Sequence, residues 1–256
     1  MRRQHRLLGS HGLTSQLRQH LPEIWTRRLS HHIVMIRVDI RYADAYDMRM
    51  YINQDIRPFH RTAVLASVDV VSAVTAEDLS RVTPCVGWSL ADLLTHMTVQ
   101  HRGFAAAALG HGADPAVWEP GSVAEAVAID PAGTYSAAAT EVIDAFAGAD
   151  VLDRQFALPE FGPGAAFPGV MAVGFHYVDY VVHGWDVART MGQPFELPAD
   201  VVAAALPLAL AVPDGDFRAG ESAVFGPAVP AIPSMEPAND LDRILAYLGR
   251  SPQWTP

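Results

Sequence analysis

The amino-acid sequence predicts an all-α protein, a four-helix bundle followed by a small C-terminal helical segment. Four long segments carry apolar residues at helical spacing, and long connections rich in polar residues, Gly and Pro separate them. No segment alternates polar and apolar residues as a strand does. Half of the 256 residues are hydrophobic, which is enough for a sizeable core. Four long helices with long connections favour a bundle, whose inward side chains can build a metal site.

The first two predicted helices cover about 55–74 and 89–110. The apolar residues of the first recur three or one positions apart, broadly on one face. The second begins at Ser89, which forms a capping box with Asp92, and continues through good helix formers toward Gly110.

A third long helix is predicted at about 133–146, after a further candidate capping box at Ser122 and Glu125. The Gly- and Pro-rich connection 148–169 follows it. Because structureless loops of this length are uncommon and often functional, we expect this loop to help shape a pocket.

The fourth predicted helix covers about 168–191 and ends before a Gly and a Pro. Beyond it, a helix over 199–212 contains Pro207, which should kink or split it. A last helix is predicted over 239–248, with Gly249 as its cap.

The net charge of the chain changes sign near residue 50, from basic before it to acidic after it. The first fifty residues hold nine Arg against four acidic residues, whereas the rest holds nine Arg against 24 acidic residues. We interpret 1–49 as a poorly ordered N-terminal extension, with Met48 or Met50 as alternative starts. Residues 50–195 are predicted to form the bundle, and 196–256 a C-terminal helical segment packed on it.

Composition excludes several classes of function. A strongly acidic body argues against nucleic acid as a partner, and no apolar stretch of about 18 residues is present to span a membrane. Cys85 is the only cysteine, which rules out an internal disulfide and a cysteine-based zinc site. We therefore expect a cytoplasmic protein, a monomer or homodimer, with small-molecule partners.

A polar stripe runs along the otherwise apolar fourth helix. His176, Asp179, His183 and Asp186 sit at positions i, i+3, i+7 and i+10, within about 80° of arc on one face. Asp179 and His183 are one turn apart, and buried polar groups need partners. We predict that both are ligands of a divalent metal; the alternative is a hydrogen-bonded Asp–His pair without metal.

The other two residues of the stripe are assigned to cofactor binding, His176 as a pocket residue and Asp186 beside a ligand. Asp186 could hydrogen-bond His183, or it could ion-pair with Arg189 three residues later.

One helix supplies too few ligands, and His96 at the edge of the second helix is the predicted third. Two imidazoles and one carboxylate leave an open position at zinc, the metal we favour. Nickel and iron accept the same ligands. His101 is about 140° around the helix from His96 and should face elsewhere, and His60 is not expected to reach the bundle centre.

Two motifs carry a resemblance to a known family. The segment from Thr83 to Ser89, followed by Asp92 to His96, resembles the opening motif of the DinB-like family that includes the mycothiol-dependent maleylpyruvate isomerase metal-binding domain. The segment from Asp179 to Ala188 resembles its second motif. The similarity covers roughly 50–256 and is closest to a subgroup described only as metal-binding proteins.

The resemblance implies a DinB-like bundle, a divalent metal and a low-molecular-weight thiol such as mycothiol as cosubstrate. In the isomerase the ligands are two histidines and a glutamate, so Asp179 here replaces the glutamate with a shorter side chain. The isomerase also uses an arginine from its C-terminal part. Three candidates exist in this chain, Arg218, Arg243 and Arg250, and none can be aligned from sequence.

Two functions follow from these patterns. The first is a metal-dependent enzyme in which a thiol attacks an electrophilic substrate, giving S-transfer or isomerisation. The second is a non-catalytic bundle that binds a metal or small ligand, in a stress response. A weaker third interpretation is a bundle without metal, in which the stripe is only a buried polar network. Cys85 is interpreted as a small buried residue, because no sequence neighbour would activate it.

Overall fold

The structure is a computed structural model that describes residues 55–215, 218, 225–229 and 239–256. The predicted N-terminal extension, 1–49, lies outside the described residues. The helices of the described part are α1 (Arg57–Val71), α2 (Leu90–Ala108), α3 (Gly121–Ile129), α4 (Pro131–Phe146), α5 (Gly169–Thr190), α6 (Ala199–Leu210) and α7 (Asp240–Tyr247). Two short strands, β1 (Gln155–Ala157) and β2 (Ala166–Pro168), pair antiparallel between α4 and α5.

Four long helices form the bundle. Helix α1 packs against α5 and α4, and α2 packs against α4 and α5, so the four surround a common core. The apolar residues of their inner faces are almost completely buried. This arrangement confirms the predicted all-α fold class. No helix of the described residues is both long enough and apolar enough to cross a membrane.

Local sequence signals fix the start of α2. The Ser89 side chain accepts a hydrogen bond from the Asp92 backbone N–H, and the Asp92 side chain accepts one from the Ser89 backbone N–H. The capping box predicted here is confirmed. The box predicted at Ser122 and Glu125 is wrong, because α3 begins at Gly121 without a side-chain cap.

Two further predictions are corrected, one about the loop 148–169 and one about the helix that contains Pro207. The loop 148–169 is not structureless, since β1 and β2 form a small hairpin in it, and the absence of strands was therefore wrong here. Helix α6 continues through Pro207 as one element instead of splitting. Its packing on α1 and α5 holds the helix together where one backbone donor is missing.

The C-terminal segment lies against the bundle. Helix α6 packs on α5 and α1, and α7 packs on α6. The chain after α7 returns toward α5, where the Arg189 side chain donates a hydrogen bond to the carbonyl of Pro252. The division of the chain at residue 195 stays a prediction.

Helix α5 is the most enclosed element of the bundle. Eighteen of its 22 residues are buried, and Val170, Phe175, Asp179 and Arg189 are the exceptions. Phe175 and Asp179 are one turn apart, so they share a face. The middle of α5 therefore reaches solvent along one narrow stripe, which contains a predicted metal ligand.

The turn that precedes the hairpin, Val151–Asp153, lies very close to the backbone at the start of α5. A Cβ added to Gly169 would lie 1.9 Å from the carbonyl oxygen of Val151, which belongs to the backbone and cannot rotate away. We expect Gly169→Ala to lower the free energy of unfolding by about 1–3 kcal/mol, since overpacking of a tight contact forces the backbone to shift. Urea unfolding followed by circular dichroism measures the change.

Gly121→Ala is the matched control, because its added Cβ would meet nothing closer than 3.6 Å. Alanine is the better helix former, so this variant should be neutral or slightly more stable. A Gly169→Ala variant as stable as the Gly121→Ala variant would contradict the contact.

Candidate metal centre

The three predicted ligands lie together between two neighbouring helices. His96 comes from α2, and Asp179 and His183 come from successive turns of α5. The Nε2 atom of His96 lies 3.8 Å from Oδ2 of Asp179, and Nε2 of His183 lies 3.3 Å from Oδ1 of the same carboxylate. One donor atom from each residue falls within 4.8 Å of the others. The convergence of these three side chains, proposed from helix spacing, is therefore present in the fold.

The chemistry of the site fits a divalent cation. The Nε2 atom of His96 is buried and finds no hydrogen-bond partner among the described residues. A buried nitrogen without a partner is costly unless something binds its lone pair. Donor atoms bound to one tetrahedral zinc ion are about 3.3 Å apart, close to the separations found here. His96, Asp179 and His183 would hold such an ion.

The charges at the site favour an ionised carboxylate between a neutral His96 and a His183 whose pKa is raised well above its usual value, against burial, by Asp179 and Asp186. Burial alone would raise the pKa of Asp179, but the neighbouring imidazoles, His183 above all, hold it well below its usual range. Burial lowers the pKa of His96, against the opposing effect of Asp179. Asp179 is therefore a carboxylate and His96 a neutral imidazole, which are the forms that bind a metal.

Asp186 fixes the orientation of His183. Its Oδ2 atom accepts a hydrogen bond from Nδ1 of His183 at 2.9 Å, which leaves Nε2 facing Asp179. The same carboxylate is fully buried and accepts hydrogen bonds from the Arg250 guanidinium and the Cys85 thiol. A carboxylate behind a ligating histidine is a common arrangement in metal sites. Of the two roles weighed for Asp186, the hydrogen bond to His183 forms and the pairing with Arg189 does not.

Only one of the three C-terminal arginines reaches this site. Arg218 donates hydrogen bonds to the backbone carbonyls of Val212, Pro213 and Tyr247, and Arg243 pairs with Asp240 on the surface. Arg250 is buried and pairs with Asp186 at 3.2 Å. The chain that follows α7 thus contributes a cation behind His183.

A second group of donor atoms lies on the other side of His183. Cys85, Nδ1 of His183 and Asp186 also fall within 4.8 Å of one another. However, Nη2 of Arg250 lies 3.2 Å from Sγ of Cys85 and 3.2 Å from Oδ2 of Asp186. A guanidinium already supplies the positive charge there, so a metal would meet electrostatic repulsion. We therefore favour the group formed by His96, Asp179 and His183.

The favoured group opens to solvent on one side. The side chains of His96 and Asp179 are 24% and 15% exposed, whereas that of His183 is 3% exposed. Gln100, one turn after His96 on α2, is half-buried beside them. An approaching molecule would therefore reach the site from the face of His96 and Asp179.

Three aromatic rings stand on the loop and α5 next to this opening. Phe175 lies one turn before Asp179, and Phe161 and Phe167 come from the loop 148–169. Their ring centroids are 5.0–5.3 Å apart in all three pairs, and each ring is half-buried. The loop thus places apolar surface next to the helix that carries Asp179, and its role in shaping a pocket stays a prediction.

His176 does not face the opening. It is buried and forms a chain with two other histidines, in which Nε2 of His60 lies 2.9 Å from its Nδ1 and Nδ1 of His101 lies 3.3 Å from its Nε2. The ring of Tyr180 stacks on both His176 and His101. The expectation that His60 would not reach the centre of the bundle was wrong. His101 does face away from His96, and it contacts His176 instead. The assignment of His176 and Asp186 to cofactor binding stays a prediction.

Burial keeps the three histidines of this chain neutral. It lowers the pKa of His60 to about 3, and it lowers those of His101 and His176 well below 6.5. The unfolded chain therefore binds protons below pH 6.5 that the folded chain does not. Above about pH 6.5, the unfolded-state pKa, these histidines do not lower the free energy of unfolding. As the pH falls from there toward their folded-state pKa, the free energy of unfolding decreases.

His60→Phe is expected to flatten this acid dependence. For His60 alone the loss of stability is about 2 kcal/mol between about pH 6.5 and about pH 5, and Phe has no proton to bind. The variant will be less stable overall, since Nδ1 of His176 loses its partner. Urea unfolding across this pH range measures the slope, and His111→Ala, on an exposed residue, is the control. A variant with the wild-type slope would contradict the prediction.

Sequence reasoning missed three neighbours of the site, Gln100, Glu160 and Phe175, and it left Arg250 as one of three candidate arginines. Gln100 and Phe175 carried a signal, because each lies four residues from a predicted ligand and so on the same helix face. Glu160 lies in the loop 148–169, but no local spacing singled it out, and none distinguished Arg250 from Arg218 and Arg243. Cys85 was correctly predicted as buried, but its contacts with Arg250 and Asp186 could not be foreseen.

Comparison with known proteins finds the same family that the two sequence motifs resemble. A family model described as the mycothiol maleylpyruvate isomerase N-terminal domain matches residues 60–188, half of the chain. This range contains His96, Asp179 and His183 and ends before Arg250. The match confirms the resemblance inferred from the motifs.

Two relatives cover most of the chain. They are uncharacterized proteins of Mycobacterium tuberculosis, from strains CDC 1551 / Oshkosh and ATCC 25618 / H37Rv. Each is 27% identical over 192 residues, which make up 75% of this chain and 96% of the relative.

Among solved structures, the crystal structure of the mycothiol-dependent maleylpyruvate isomerase is similar, with a TM-score of 0.46 and 14% sequence identity. The matched region is 60% of this chain and 65% of the isomerase chain, so the similarity spans about two thirds of the isomerase's length.

Proposed function

The chain belongs to the mycothiol maleylpyruvate isomerase N-terminal domain family, and on that premise we propose that it is a metal-dependent enzyme acting with a low-molecular-weight thiol. The reaction is S-transfer to, or isomerisation of, an electrophilic small molecule. Mycothiol is the thiol that the family name favours, and zinc is the metal that the ligand set favours. We place the enzyme in the cytoplasm, which the single, unpaired cysteine suits.

One observation carries the proposal: three ligand-type side chains converge where the bundle opens beside an aromatic surface. Three protein ligands leave a position for an exogenous group, which is the pattern of a catalytic rather than a structural site. A metal bound there would hold a thiol as its thiolate, as metals do for bound water.

The charge of the ligand set suits an anionic thiolate. Asp179 contributes one negative charge, and both histidines are neutral when they bind a metal. Asp186 and Arg250 cancel each other behind the site. A divalent ion would leave one net positive charge, which one thiolate neutralises.

The residues of the chain have separate tasks in this reaction. His96, Asp179 and His183 bind and orient, and Asp186 keeps Nε2 of His183 directed toward the site. Phe161 and Phe175 pack against the substrate and exclude water from one side of it. The reactants are thereby held next to each other, which supplies much of the rate enhancement in such reactions.

Cobalt substitution tests the proposal directly. A thiol added to the cobalt protein should give a new sulfur-to-metal charge-transfer band in the near ultraviolet, because the site keeps an exchangeable position. The band should be missing in His96→Ala, which lacks one ligand, and present in His111→Ala, whose histidine is exposed elsewhere. No spectral change with mycothiol or 2-mercaptoethanol would refute thiol chemistry and favour a non-catalytic metal-binding bundle.

A further inference from the structure

A carboxyl group on the loop lies beside the face of α2 that carries His96. Glu160 lies in a single turn, Pro159–Phe161, between the two strands of the hairpin. Its Oε2 atom accepts a hydrogen bond from Nε2 of Gln100 at 2.9 Å. Gln100 is one turn after His96 on α2, so this bond brings the loop to the ligand-bearing face of the helix.

Few charged groups surround this carboxyl. Gln100 from α2 is its only hydrogen-bond partner among the described residues. From α5, Asp179 acts on it through its negative charge, and Tyr180 is affected by it in turn. No arginine pairs with Glu160 within the described part of the chain, so nothing there fixes it in the ionised form.

Its surroundings give Glu160 the proton affinity of a proton-transfer group at neutral pH. Burial, helped by the charge of Asp179, raises the pKa of Glu160 to about 7, despite the hydrogen bond from Gln100. A general acid or base works best when its pKa is near the working pH. The residue is half-buried, so it remains in reach of a molecule at the opening.

We propose that Glu160 carries the proton in the thiol reaction, taking it from the thiol and returning it to the substrate carbon. This inference rests on the proposed function. It is drawn from the hydrogen bond that holds the carboxyl beside the His96 face of α2 and from its lack of a cationic partner among the described residues.

The step balances with the thiol and the substrate alone. Glu160 accepts the S–H proton on a carboxylate oxygen, and the sulfur electron pair forms an S–C bond at the β-carbon of an alkene conjugated to a carbonyl. The π pair of the alkene moves to the α-carbon, which takes the proton back from Glu160. For isomerisation the same residue removes that α-proton after rotation about the new single bond, and the thiolate leaves with the S–C electron pair.

Proton release on thiol binding tests this role without turnover. Titration calorimetry of the zinc protein with 2-mercaptoethanol, in two buffers of different ionisation enthalpy, counts the protons released. Near pH 7 wild type should release fewer protons per thiol than Glu160→Gln, because Glu160 takes up part of the proton that the thiol loses. Glu160→Gln keeps the size of the side chain and its contact with Gln100.

Turnover of a substrate gives a second measurement of the role of Glu160. Turnover of an α,β-unsaturated carbonyl substrate should fall by about 10²-fold or more in Glu160→Gln, while the thiol-dependent cobalt band remains. Glu160→Asp should recover part of the proton uptake, and Glu125→Gln, on the exposed face of α3, should behave as wild type in both measurements.

The outcomes separate the two proposals. Equal proton release by wild type and Glu160→Gln, with thiol binding intact, overturns the role of Glu160 and leaves the proposed function standing. Failure of any thiol to bind the wild-type metal protein overturns both.

Discussion

His183→Ala is expected to remove most of the metal from the protein. His183 lies between the two carboxylates, so its loss takes away a ligand nitrogen and leaves Asp179 and Asp186 without the group that separates them. Two remaining ligands cannot hold a divalent ion tightly, because affinity depends on a complete ligand set. Elemental analysis should find about one ion per wild-type chain and only a small fraction of that in the variant.

The control is His111→Ala, which removes an exposed histidine far from the ligand set in sequence. It should keep the wild-type metal content. The protein should be purified without an affinity tag that binds metal. Equal metal content in His183→Ala and wild type would remove the basis for the candidate centre and for the thiol chemistry that depends on it.

Arg250→Met is expected to lower the free energy of unfolding by more than Gly169→Ala does. The guanidinium is buried and pairs with Asp186, whose carboxylate is fully buried. Burial tends to raise the pKa of Asp186, yet Arg250 and His183 lower it below its usual range. Removing the arginine leaves an uncompensated buried charge, which costs about 3–5 kcal/mol. Urea unfolding of the metal-free protein measures this loss.

A double variant separates stability from metal binding. Replacing both partners with apolar residues, Arg250→Met with Asp186→Leu, should recover most of the lost stability, because no unpaired charge of this pair remains buried. The metal affinity should still fall by about 10–100-fold, since Nδ1 of His183 loses the carboxylate that orients its ring. A double variant with wild-type affinity would contradict the orienting role of Asp186.

Local patterns in the sequence determined the bundle helices and paired two of the three candidate ligands. The ends of α2 followed from the capping box at Ser89 and from the run of helix formers behind it. Asp179 and His183 could be paired from spacing alone, because residues four apart on a helix always share a face. Their neighbour in the fold, His96, needed the additional assumption that two helices face each other.

Errors arose where distant segments decide the outcome. His60 was expected to stay away from the centre, but the packing of α1 on α5 brings it within 2.9 Å of His176. Pro207 was expected to kink or split its helix, and the neighbours of α6 keep it from splitting. In both cases tertiary packing outweighs the local preference.

The sequence by itself determined which residues can share a helix face, and so it identified the stripe on α5 and its two candidate ligands. Only the tertiary structure decided what stands around that stripe. Arg250 pairs with Asp186 across 64 positions of sequence, and Gln100 holds Glu160 across 60. The physical reason is that spacing along a helix is set by backbone geometry, whereas contacts between segments depend on the packing of the whole core.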